Sequence, residues 1–90
     1  MAKYKVYKVV VTLTHDSVDI DKCPSWDIMT LLDDIYASKK EAIRQAQRHF
    51  DRQPLNDYVH QVWARVYPII ITDKGSKQGD RIYNKFKKNN

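Results

Sequence analysis

The stretch "SKKEAIRQAQRHFDR", residues 38–52, decides how the rest of the chain is read. Ser38 followed three positions later by Glu41 has the form of a capping box, in which hydroxyl and carboxylate each take an unpaired backbone N–H at a helix start. Ala42, Ile43, Ala46 and Phe50 recur at helical spacing, and Pro54 forbids continuation soon after. An amphipathic helix over residues 39–52 is expected. Its polar side carries Lys40, Arg44, Arg48 and Arg52 at intervals of four. At ~1.5 Å per residue these cations share a ridge of about 18 Å, long enough to follow several phosphates. The same ridge equally suits the wetted side of a structural helix. Glu41 and Asp51 are spaced to offset Arg44 and Arg48 locally.

Strand signals flank this helix. "YKVYKVVVTLT", residues 4–14, is dense in β-branched and aromatic residues. Tyr7, Val9, Val11 and Leu13 form one apolar row, and Val6 and Val10 add apolar positions to the other, as in an interior strand. "YVHQVWARVY", residues 58–67, alternates more cleanly: Val62, Ala64 and Val66 on one face, Trp63, Arg65 and Tyr67 on the other. Pro68 has no N–H to give a ladder, so an edge, a bulge or a bend is expected there. "IIIT", residues 69–72, resumes extended, and "DKGSKQGD", residues 73–80, holds both glycines and reads as a loop or long hairpin turn.

Other segments are less regular. Residues 15–25 are polar with no usable period and read as a loop. In "WDIMTLLDDIYA", residues 26–37, the positions Ile28, Leu31, Leu32 and Ile35 match the template of a short amphipathic helix. A short or irregular element is expected there, extended only over residues 35–37. Residues 82–86 suit a last strand or a helical turn, and residues 87–90 a disordered basic tail. The fold class is α+β: a small antiparallel sheet of about three or four strands with one amphipathic helix packed across one face. Residues 1–86 make a single domain, since 90 residues leave no chain for a second core.

Composition narrows the function. An apolar fraction of 42% with 30% charged residues fits an ordinary globular chain. The lone cysteine, Cys23, excludes an internal disulfide. The apolar run "VVVTL" behind Lys3, Lys5 and Lys8 is too short for a signal-peptide core, and no stretch reaches transmembrane length, so a soluble cytoplasmic protein without membrane partners is expected. The net charge of +5 is segregated: +3 over residues 1–14, −5 over 15–37, +3 over 38–56, −1 over 57–73 and +5 over 74–90. The acidic block either neutralises the basic ridge or leaves a polarised surface.

Reaction chemistry finds little support. His15, His49, His60 and Cys23 lack paired metal-ligand spacing, and "DSVDIDK" lacks the glycine and terminal glutamate of a calcium loop. Cys23 has no nearby cation or helix start to activate it, and "GSKQG" has neither the spacing nor the following helix of a phosphate loop. No metal, no cofactor and no enzymatic activity are expected. The row Trp63, Arg65, Tyr67 has the residue types that dominate protein–protein hot spots. It also suits base stacking, while Trp63 taken alone is expected to be core under the acidic segment or the C-terminal tail, since so small a chain can hardly leave a tryptophan exposed. The first reading is a small non-enzymatic protein-interaction module (inhibitor, adaptor or dimer subunit) that uses Trp63, Arg65 and Tyr67 against a protein partner, an acidic one or a second copy included. The alternative is nucleic-acid binding through Lys40, Arg44, Arg48, Arg52, Lys85, Lys87 and Lys88. The acidic block, which repels phosphate, ranks it second.

Overall fold

A computed structural model describes residues 3–16, 26–80 and 86–89. The element order is β1 (Lys3–Asp16), β2 (Trp26–Tyr36), α1 (Lys39–Arg52), β3 (Val59–Thr72), β4 (Gly75–Gln78) and β5 (Lys87–Asn89). All pairings are antiparallel, in the order β2-β1-β3-β4, with β5 also paired to β3. The α+β class with one helix across an antiparallel sheet is as expected.

β1 and β3 form the spine, pairing from Lys3↔Thr72 to His15↔Val59. This register places Tyr7, Val9, Val11 and Leu13 on the same face as Val62, Ala64 and Val66. The helix lies on that face. Ala42 and Ala46 are fully buried against Val9, Val11, Ala64, Val66 and Phe86, with Ile43 and Phe50 at the margin. Small side chains at two successive turns let α1 sit close to the sheet. A second cluster of Leu13, Val59 and Val62, flanked by Leu31, Phe50 and Leu55, closes the far end of the same layer.

The start of α1 is half of a capping box. Ser38 Oγ accepts from the Glu41 N–H at 3.3 Å, but the Glu41 carboxylate turns along the helix to Arg44 and Gln45. Two charge-assisted bonds from a guanidinium outweigh one from the Ser38 N–H.

Residues 26–36 correct the expectation of an irregular element: they are one eleven-residue strand, β2. The helix-like spacing has a local cause. The pairing steps from Val11↔Leu32 to Thr12↔Thr30, leaving Leu31 as an extra residue, a β-bulge. One inserted residue shifts the phase of the alternation. Leu31 and Leu32 both pack towards the helix-side core, while Ile28 and Ile35, opposite Thr14 and Lys8, fall on the other face. Strand alternation interrupted by one bulge thus reproduces an i, i+3, i+4, i+7 pattern. A second bulge lies between Thr14↔Gln61 and His15↔Val59, with His60 as the extra residue.

Pro68 does not end β3, which runs on to Thr72, and its pairing with Tyr7 carries no bulge. Its carbonyl accepts from Gly79 N–H at 2.8 Å, on the edge away from β1. A strand residue's N and O point to the same edge, so the missing N–H costs the β1 ladder nothing. Gly79 fits because it has no Cβ; one placed there would stand 2.8 Å from Pro68 Cγ. The segment over residues 73–80 is a tight turn followed by β4, with Gly75 at φ +129°, a conformation L side chains rarely adopt.

The end of the chain differs from a frayed tail. Residues 87–89 pair with Gln61, Val62 and Trp63, and Ala64 N–H donates to Phe86 O at 2.8 Å. Lys88 fixes this strand to the helix: its Nζ donates to Phe50 O at 3.0 Å and lies 4.5 Å from the centre of the Phe50 ring. A cation at a helix C-terminus and over an aromatic face is favourable on both counts. The expected loop over residues 15–25 is corrected at its start: His15 and Asp16 belong to β1, carried on by pairing with Asp27 and Trp26. Its remainder, residues 17–25, and most of the alternatives for residues 82–86 lie outside the described residues.

The molecule is long and thin, 54 × 25 × 16 Å, with a radius of gyration of 15.7 Å. A compact chain of this length has one near ~12 Å. Fourteen-residue strands cause the difference. At ~3.3 Å per residue they extend about 46 Å, whereas a helix of the same residue count covers about 21 Å.

Candidate functional site

The sheet face turned away from α1 is the candidate site. Its rows follow from the register. Ile35, Lys8 and Tyr67 form one; Asp33, Val10 and Arg65 the next; then Thr30, Thr12 and Trp63; then Ile28, Thr14 and Gln61. Tyr4, Val6, Ile69 and Ile71 continue it towards the β3–β4 hairpin. None of these residues belongs to either core cluster, and among the described residues no element packs over them. Tyr4, Ile28 and Ile35 are exposed by 58%, 67% and 53%. The row Trp63, Arg65, Tyr67 therefore lies where the alternation placed it, with each side chain half-buried.

The polar groups of this face are unevenly satisfied. Lys8 Nζ reaches Asp33 Oδ1 at 3.2 Å, a diagonal cross-strand pair with Asp33 53% exposed. At the lower end, the His60 ring nitrogen meets the Asp16 carboxylate across the bulge. By contrast, Thr12 Oγ1, Thr14 Oγ1 and Arg65 Nε are buried without a hydrogen-bond partner among the described residues. All three lie on this face. Arg65 makes no hydrogen bond or ion pair among the described residues. A guanidinium nitrogen withdrawn from water and unpaired is costly, because desolvation is not offset by any acceptor.

The basic ridge occupies the opposite side of the molecule. Lys40, Arg44, Arg48 and Arg52 are all exposed on α1, but they are not equivalent. Arg44 is held by Glu41 through Nε at 3.0 Å and an Nη at 2.7 Å. The hydrogen bond from Arg44, then that from Gln45, holds the Glu41 carboxyl at about 2, and the same contact raises Arg44. Asp51 accepts from Gln47 rather than Arg48. Lys40, Arg48 and Arg52 have no ion pair among the described residues. The described acids of the acidic block leave the ridge alone: Asp33 serves Lys8, and Asp34 Oδ1 accepts from Ile35 N–H at 2.8 Å. Burial, then Asp34, then Glu41 raise the Tyr36 hydroxyl above its ordinary value.

The structure splits the other expected polyanion contacts. Lys87 is exposed, Lys88 is committed to Phe50, and Lys85 lies outside the described residues. Cys23 also lies outside them. His49 Nδ1 sits 3.0 Å from Gln45 O within the helix. Among the described residues no cluster of three His, Cys, Asp or Glu is arranged to hold a metal. No described helix is long and apolar enough to cross a membrane. Sequence reasoning missed Asp33 and Ile35 as members of the Trp63 face. Their signal, the alternation of β2, was hidden by its bulge.

Comparison of the chain with family models, curated proteins and solved structures returns no match.

Proposed function

We propose that this chain is a small non-enzymatic protein-interaction module whose docking surface is the sheet face bearing Trp63, Arg65 and Tyr67. One observation carries the reading: Trp63, Arg65 and Tyr67 stand half-buried in one row of a face over which no described element packs, and the Arg65 guanidinium makes no ion pair or hydrogen bond among the described residues. Tyr and Trp offer large contact areas at low entropic cost, and an arginine between them selects a carboxylate on the partner. Exposed Ile28 and Ile35 add apolar area alongside.

A second reading, nucleic-acid binding, keeps support from Lys40, Arg48 and Arg52, three cations without ion pairs among the described residues, on the opposite side of the molecule. Three phosphate contacts give a slope of about −2.7 in log K against log salt. The two readings separate in one experiment. A photo-crosslinking benzoylphenylalanine is placed at Tyr67 or at Arg48 in native cells, and adducts are identified by mass spectrometry. Protein adducts from position 67 and none from position 48 are expected. Nucleic-acid adducts from position 48, with none of any kind from 67, would reverse the order of the readings.

A further inference from the structure

We infer that the occupant of this face is a second copy of the chain, packed sheet to sheet so that Arg65 of each copy meets Asp33 of the other. The inference rests on the interaction reading above and names its partner.

The placement of charge carries it. Asp33 and Arg65 flank Val10 on either side in one row of the sheet. With strands ~4.8 Å apart, the two opposite charges stand about 5 Å to each side of β1. A two-fold axis running along β1, above Val10 and midway between two facing sheets, exchanges β2 with β3. It brings Arg65 over Asp33 twice, as an isologous interface requires. Packed sheets lie ~10 Å apart, a gap that an arginine and an aspartate span together. The same operation sets Ile35 against Tyr67 and Thr30 against Trp63, with Val10 facing its own copy.

The details of the row agree with this operator. The Asp33 carboxylate is half-exposed and uses Oδ1 for Lys8, which leaves acceptor positions for a guanidinium. Lys8 leans away from β1 towards Asp33, so the two Lys8 ammonium groups diverge across the axis rather than meet. An in-plane axis perpendicular to the strands through Val10 sets Arg65 against Arg65 and leaves both unpaired. Eleven to fourteen residues by three strands project on the order of 600 Å². Val10, Thr12 and Thr14 along its middle are already 8%, 4% and 8% exposed, so the contact falls mainly on the flanking β2 and β3 side chains, Ile35, Asp33, Arg65 and Tyr67.

Sedimentation velocity across a concentration series tests the inference with two charge reversals, Arg65→Glu and Asp33→Lys. Wild type is expected to be a dimer. Each variant alone places like charges across the interface and should weaken self-association by about 30-fold or more. Mixed one to one, the variants restore both pairs: the introduced glutamate of one copy meets the introduced lysine of the other, and the remaining Asp33 meets the remaining Arg65. The mixture should dimerise although neither component does. Circular dichroism and a urea midpoint establish that each variant is folded; if Arg65→Glu does not fold, Arg65→Gln must show the weakening. A wild type that stays monomeric overturns the inference, as does a wild-type dimer indifferent to both reversals or a mixture that stays monomeric. The crosslinks from position 67 tell the two levels apart. Adducts to a different protein with a monomeric wild type overturn the second copy and keep the docking surface. No adduct with a monomeric wild type removes both.

Discussion

On the helix side of β1, Val9 and Val11 are fully buried in an all-apolar layer. One residue along, on the other side, Thr12 and Thr14 are 4% and 8% exposed, yet their hydroxyls have no partner among the described residues. The two faces share the same three strands and differ in what lies over them. The helix face is closed by Ala42, Ala46, Phe50 and Phe86, with no orphaned polar side chain among its described residues. The far face carries every unsatisfied buried side-chain atom found among the described residues. A core that closes against its own helix has reached its lowest free energy within one chain. The far face leaves Arg65 without an ion pair or hydrogen bond among the described residues, so an acceptor brought to its guanidinium would add stabilisation.

The largest expected effect breaks this contrast directly. Val11→Thr buries a hydroxyl in the closed layer at nearly constant shape and should cost about 2 kcal/mol. Thr12→Val, its neighbour on the other face, removes a hydroxyl that is already unpartnered and should stabilise by about 1 kcal/mol. Urea midpoints at a fixed protein concentration measure both. Equal costs for the two substitutions would show that the faces are energetically alike.

A smaller effect tests how the helix side is closed. Lys88→Met keeps an apolar stem but loses the bond to Phe50 O and the cation over the Phe50 ring. A loss of about 1 kcal/mol is expected, with faster hydrogen exchange in β5. An unchanged midpoint and unchanged exchange would return residues 87–89 to the status of a tail.

The smallest effect lies on the ridge, outside both faces. The Glu41 carboxyl is lowered from an ordinary 4.5 to about 2 by Arg44 and Gln45. Since the folded-state value is the lower one, the contribution is present above about 4.5 and lost as pH falls towards 2. Glu41→Gln should flatten the stability profile in that window and leave its slope near neutrality unchanged. Solvent around these exposed groups keeps the effect slight. A wild-type profile already flat between those values would contradict the pairing.

Several features were readable from residues alone because their causes are local. Ser38, the stripe Ala42, Ile43, Ala46, Phe50 and the stop at Pro54 fix α1 within its own span. The alternation in residues 58–67 separates Val62, Ala64 and Val66 from Trp63, Arg65 and Tyr67, and a strand's period of two leaves no other division. Non-local pairing decided the rest. β2 is a strand because β1 offers it a ladder and the bulge at Leu31 turns two leucines inward, which no short window reveals. Lys88 is structural because the helix C-terminus lies beside β5. Arg44 differs from Arg48 because Glu41 turns to it rather than to the cap. Above all, the sequence determined that Arg65 shares a face with two aromatics. Only the tertiary structure decided that the helix covers the opposite face and that Asp33 stands across from Arg65, because those neighbours are chosen by hydrogen bonds between strands distant along the chain.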